Sequence, residues 1–124
     1  MQTFLISKLD PAKNTILKFF EFPTIELEEE AIDALNMPNG RLIFLSKHVS
    51  NSQNQSITTH AVGNFGSALL GGKDRALVES QPNLMNSFLE YVAKNSPNGY
   101  DVIQEATHHG PFSENPIVFF ELGS

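Results

Sequence analysis

Apolar and polar residues follow one another along the chain in blocks that predict short strands separated by helices. Thr3-Phe4-Leu5-Ile6 is a β-prone apolar run and predicts a buried strand. Asp10-Pro11 then supplies a helix N-cap followed by proline at the first helical position, and Ile16, Leu17, Phe19 and Phe20 give that helix its apolar face. Phe22-Pro23 ends it. Thr24 to Glu28 alternates apolar and polar positions as a half-exposed strand does. Glu28, Glu29, Glu30 and Asp33 around Ala31, Ile32 and Leu35 predict a short helix whose acidic side is solvated. Asn39-Gly40 is a turn signal, and Arg41-Leu42-Ile43-Phe44-Leu45 after it is the clearest central strand in the sequence.

That strand ends at Ser46-Lys47-His48, and the polar stretch from Val49 to Gln55 predicts a flexible loop beside it. Ser56 to His60 is a further β-prone run. From Gly63-Asn64-Phe65-Gly66 to Gly72 the glycines are dense, yet they match no dinucleotide fingerprint, and Gly71-Gly72-Lys73 lacks the spacing of a phosphate loop. A nucleotide cofactor is therefore not indicated. The strongest helix runs from Pro82 to Asn95, with Leu84, Met85, Phe88, Leu89 and Val92 on one face and Pro97-Asn98-Gly99 closing it. Tyr100 to Thr107 predicts a strand leading into His108-His109, and Ile117 to Leu122 a last strand carrying Glu121. Strands alternating with helices predict a single α/β domain over residues 1–124, a mixed twisted sheet with flanking helices. The sequence stops at Gly123-Ser124, directly after a strand with no helix to cover it. This reads as a truncated chain or as a domain that expects a covering segment or a second copy in a homo-oligomer.

Composition narrows the function classes. At 124 residues the chain can bury a core without disulfides, and it has no cysteine, hence no disulfide framework and no thiol nucleophile. No apolar run suggests a membrane span, and the amino terminus lacks the pattern of a signal peptide, so a cytoplasmic home is the simplest expectation. The net charge of -6 has the wrong sign for gripping a phosphate backbone by bulk electrostatics. A nucleic-acid partner needs a local basic patch, and among the bases only Lys73 and Arg75 form a tight pair.

The chemistry lies with the four histidines. His48, His60, His108 and His109 all sit where an apolar run gives way to polar or glycine-containing residues. In an open α/β sheet such run ends meet at one edge, the usual place for a site. Imidazole exchanges protons near neutral pH and is also the commonest metal ligand, so the cluster points to either role. Together with Glu105 and Glu121 there are ligands enough for a zinc site, although no two histidines have the i, i+4 spacing of a zinc protease. A metal-free hydrolase would combine a histidine that activates water, a hydroxyl from Ser46 or Thr107, and backbone amides at Gly63-Asn64 that hold an oxyanion.

Several stretches, taken in order, are similar to a known family. Ser46-Lys47-His48, then His60 followed by Gly63-Asn64, then Ala106-Thr107-His108-His109-Gly110-Pro111, then Phe120-Glu121-Leu122-Gly123-Ser124 resemble the motifs of the archaeal and plant type of D-aminoacyl-tRNA deacylase. The opening Ile6-Ser7-Lys8-Leu9-Asp10-Pro11-Ala12 resembles that family's first strand and turn. The sequence departs from the family in having Ala61-Val62 before Gly63, where a proline is usual, and it corresponds to the amino-terminal half of a family member. The resemblance implies a fold of the phosphorylase and peptidyl-tRNA hydrolase-like kind, and hydrolysis of the ester joining a D-amino acid to tRNA. It further implies a catalytic pocket lined by His48, His60, Thr107, His108 and His109, with Ser46, Gly63, Asn64 and Glu121 shaping it around the D-aminoacyl-tRNA. Zinc is the cofactor it implies, with His60, His108 and His109 as ligands. Two other classes stay open: a hydrolase of the same fold acting on a small ester, amide or nucleoside, and a non-enzymatic binding subunit that retains the motifs.

Overall fold

A computed structural model describes residues 2–7, 25–28, 40–48, 55–95 and 99–123. The elements in chain order are β1 (Gln2–Ser7), β2 (Ile25–Glu28), β3 (Gly40–His48), β4 (Ser56–His60), β5 (Gly63–Asn64), β6 (Ala76–Leu77), α1 (Pro82–Asn95), β7 (Asp101–Gln104) and β8 (Ile117–Gly123). Six strands form one mixed sheet in the order β2-β1-β3-β8-β4-β7, and β5 pairs with β6 as a small separate hairpin. The two helices expected before β3, and all but the last residue of the loop expected after it, lie outside the described residues.

The apolar run of β3, flanked in the sheet by β1 and β8, is buried on both faces because side chains pack over each of them. Successive residues alternate between two cores. On one face Ile43, Leu45, Ile57, Val118 and Phe120 pack against Met85, Phe88 and Val92 of α1, the buried stripe that the helical spacing predicts. The Phe88 and Phe120 rings stack there, with centroids 3.9 Å apart. On the opposite face Leu42, Phe44, Ile117 and Phe119 pack with Val62 and Val78, and no helix covers this side among the described residues. The second face carries the candidate site.

Strand direction decides which histidines can meet. β3 and β8 run parallel, but β4 runs antiparallel to β8, and β7 runs parallel to β4. The carboxyl ends of β4 and β7 therefore point to one edge of the sheet and those of β3 and β8 to the other. His60 is paired with Phe119, whereas His48 is paired with Gly123, itself opposite Ser56. The expectation that all four histidines gather at one edge is corrected accordingly: the backbone of His48 lies four residues further along the strand direction, about 13 Å at about 3.3 Å per residue. β7 is shorter than the run from Tyr100 to Thr107 suggested, because its partner ends. The Glu105 amide still donates to the Thr59 carbonyl, and after His60 there is no strand left to pair with. The chain from Glu105 onward is free to bend across the site.

Candidate functional site

His60 is the last residue of β4 and is fully buried. It lies flat against Phe119 of the neighbouring strand, ring centroids 4.9 Å apart, so the apolar sheet face forms the floor of the site. The segment after β7 brings in the other two rings. The His108 amide donates to the Ala61 carbonyl at 3.4 Å, and the Gly63 amide donates to the His109 carbonyl at 2.9 Å, pinning this segment to the chain that leaves β4. His108 stacks on His60 with centroids 4.0 Å apart, and His109 meets His60 edge-on at 4.8 Å.

All three histidines use the same nitrogen for support. Nδ1 of His60 is 2.8 Å from the Ala61 carbonyl, Nδ1 of His108 is 2.6 Å from the Ala106 carbonyl, and Nδ1 of His109 is 2.5 Å from the Gly110 carbonyl. A carbonyl only accepts, so in each ring Nδ1 carries the hydrogen and, in the neutral form, Nε2 keeps its lone pair. This is the outer-shell arrangement that fixes imidazoles as metal ligands. Potential ligand nitrogens of the three residues lie within 4.8 Å of one another. Four ligands at about 2 Å around a tetrahedral ion stand about 3.3 Å apart, so the rings need close in by no more than about 1.5 Å.

A second observation bears on the same fit. Nε2 of His60 is buried and finds no aligned hydrogen-bond partner among the described residues, yet it stands 3.1 Å from Oε1 of the buried Glu121. With the hydrogen on Nδ1, a neutral ring turns a lone pair toward a carboxylate oxygen. A cation between them would answer both the lone pair and the carboxylate charge, so the donor set suits a transition-metal ion that favours imidazole. Burial, together with the neighbouring His60 and His108, holds the His109 pKa below its ordinary value, against the upward pull of the Gly110 carbonyl and Glu121. Its neutral, ligand-competent form is thereby favoured.

Glu121 is joined to β4 through Thr58, whose hydroxyl lies 3.4 Å from Oε1, and it is paired across the sheet with Ser46. Ser46 thus borders the Glu121 end of the site rather than the three rings. Thr107 lies between two cavities. One, of about 200 Å³, is lined by Gly63, Asn64 and the loop that follows them, together with Thr107, His108 and His109. The other, of about 160 Å³, lies toward α1 and is lined in part by Met85, Glu105 and Thr107.

Gly63 and Asn64 serve the site differently from the oxyanion role considered above. The Gly63 amide is already given to the His109 carbonyl. A β-carbon on Gly63 would come within 2.7 Å of the Leu77 side chain, so this glycine permits the β5–β6 hairpin to close. The Asn64 side-chain amide donates to the Gly71 and Lys73 carbonyls at 2.9 and 3.3 Å. It shapes a loop that residue-type reasoning missed altogether; the density of glycines between 63 and 72 was its signal.

Three imidazoles gathered at the end of two parallel strands, floored by Phe119 and walled by glycine-tight backbone, form a group that could hold a metal ion in a mixed α/β domain. The sequence profile of the family described as D-aminoacyl-tRNA deacylase matches residues 37–124, and the chain belongs to that family. Relatives named D-aminoacyl-tRNA deacylase include one from Ignicoccus hospitalis, 37% identical over 115 residues that take in 91% of this chain and 47% of the relative. Another, from Methanoregula boonei, is 39% identical over 114 residues, 91% of this chain and 26% of the relative. The chain therefore spans less than half the length of these two. A crystal structure of a conserved protein of unknown function, AF0625, superimposes with a TM-score of 0.74 at 27% identity, over 100% of this chain and 55% of that one.

Proposed function

We propose that this chain forms the catalytic pocket of a D-aminoacyl-tRNA deacylase, a proofreading hydrolase that cleaves the ester between a D-amino acid and the terminal ribose of tRNA. The observation that carries this reading is the common use of Nδ1 by His60, His108 and His109, which leaves Nε2 of each ring for chemistry, in a group whose potential ligand nitrogens lie within 4.8 Å of one another. Family membership supplies the substrate class. His60, His108 and His109 would hold zinc, which when bound lowers the pKa of water to about 7 and polarises an ester carbonyl.

The protein's own groups do the rest. The Ala61 carbonyl holds His60 through Nδ1, and Glu121 presents a carboxylate beside Nε2. The depressed His109 pKa keeps that ring neutral, with its lone pair available, at the pH where tRNA is charged. Thr107 borders the cavity that reaches the histidines and offers its hydroxyl to the substrate. The stacked Phe119 removes water from below and so strengthens the polar interactions above it. Among the described residues no helix is long and apolar enough to cross a membrane.

The net charge of -6 favours a second reading, a small ester or amide in place of tRNA. One assay separates the two. Incubation of the zinc-loaded protein with D- and L-tyrosyl-tRNA is expected to release D-tyrosine many-fold faster than L-tyrosine. Equal release from both, or cleavage of tyrosine ethyl ester with neither tRNA touched, contradicts the proposal.

A further inference from the structure

The segment from Asn64 to Leu77 exposes apolar surface beside the histidines. Phe65 is 74% exposed, Leu69 87% and Leu70 79%, in a chain whose other large apolar side chains are mostly buried or half-buried where described. Exposed apolar groups so close together mark a contact surface. The segment is also held in a defined shape. Asn64 ties the Gly71 and Lys73 carbonyls, the Ala68 amide donates to Asp74 Oδ1 at 2.6 Å, and the Arg75 amide donates to the Gly66 carbonyl at 2.7 Å. Gly72 packs directly on Gly110, which fixes this arm against the double-histidine segment. An ordered arm with an apolar tip is prepared to meet a partner.

Two features say which partner. Phe65, Leu69 and Leu70 line the same cavity of about 200 Å³ as His108 and His109, so whatever the arm holds is continuous with the reactive centre. The arm also carries Lys73 and Arg75, both exposed, the tight basic pair of an acidic chain. The Lys73 ammonium lies 5.1 Å from the centroid of the Phe112 ring, which locates its charge at the arm's base. An exposed aromatic ring and two cations carried on one short arm are the elements that hold single-stranded nucleic acid, the ring stacking on a base and the cations meeting phosphates. We propose that this arm is the docking platform for the single-stranded 3′ end of the RNA, with Phe65 stacking on a nucleobase while Lys73 and Arg75 neutralise the adjoining phosphates. The inference rests on the tRNA reading above and locates where the RNA end is held.

The test is binding of a fluorescein-labelled cytidine-cytidine-adenosine trinucleotide, followed by anisotropy. Phe65→Ala is expected to weaken binding about 10- to 100-fold, as the loss of one base–aromatic stack does. In the Lys73→Gln/Arg75→Gln double variant the slope of log affinity against log salt is expected to become shallower by about 1.4, at about 0.7 for each lost contact to a single strand. The chain has no tryptophan, so Phe65→Trp places a lone reporter at the tip, and its emission is expected to be quenched by the trinucleotide. Phe65 is largely exposed, so an unchanged melting temperature in Phe65→Ala certifies the fold.

Absent binding, or binding and salt slope unaltered in these variants, overturns the proposal. So does an apolar tip that serves a second copy: sedimentation would then show a dimer dissociated by Phe65→Ala with trinucleotide binding unchanged. The activity stands or falls separately. D-selective hydrolysis whose KM is indifferent to Phe65→Ala removes the platform alone, while trinucleotide binding without any ester hydrolysis removes the activity alone.

Discussion

Gly110 presses its backbone against Gly72: a β-carbon built on Gly110 would stand 2.5 Å from the Gly72 nitrogen and 2.6 Å from its α-carbon. Both neighbours are main-chain atoms, which cannot swing aside as a long side chain does. Gly110→Ala is therefore expected to push the arm off the double-histidine segment and to cost about 1–3 kcal/mol, the range for overpacking. Gly66, on the same arm, has open space around its α-carbon, and Gly66→Ala is expected to stay within about 0.5 kcal/mol. Urea denaturation of the two variants checks the contrast. Equal losses would mean that the glycine contact does not hold the arm.

Glu121 is expected to tune metal affinity through His60. Its Oε1 stands 3.1 Å from Nε2 of that ring and is steadied by Thr58. Glu121→Gln keeps the shape and removes the negative charge that faces the metal-binding nitrogen, and zinc affinity is expected to fall by at least about 10-fold, since the attraction between a carboxylate and a cation a few ångströms away exceeds about 1.4 kcal/mol near a protein surface. Competition with a chromophoric chelator measures it; an affinity equal to the parent's would leave Glu121 a merely structural residue.

The two faces of the sheet are expected to respond independently. Phe88 is fully buried and stacks on Phe120 on the helix side, away from the histidines. Phe88→Ala is expected to cost about 3–5 kcal/mol of stability while zinc stoichiometry below the new melting temperature stays at that of the parent. Calorimetry and metal analysis on one preparation check both halves. Loss of zinc from the still-folded variant would show that the helix-side core positions the site.

Local pattern made most of the framework legible. The Pro82–Asn95 helix carries its apolar stripe at helical spacing between two prolines, and the structure keeps those bounds. The run from Leu42 to Leu45 is apolar without alternation because β3 is covered on both faces, and the structure extends the strand to His48. Strand direction was not legible. Nothing between Ser56 and His60 records that this strand runs against β8, and that single reversal separates His48 from the other three histidines. The β5–β6 hairpin was missed because two-residue strands such as Gly63–Asn64 carry no periodicity. The residues of the centre could be named from their types and order, but the shared use of Nδ1 depends on carbonyls set by the fold.

The most direct test of the central claim, that three Nε2 atoms form one metal centre, is titration of the metal-free chain with cobalt(II), followed by visible absorption. The expected result is saturation at one equivalent per chain, displacement by zinc, loss of the spectrum in His60→Ala, His108→Ala or His109→Ala, and its retention in His48→Ala. No saturable binding, or a spectrum that survives loss of any of the three and disappears with His48→Ala, would contradict it.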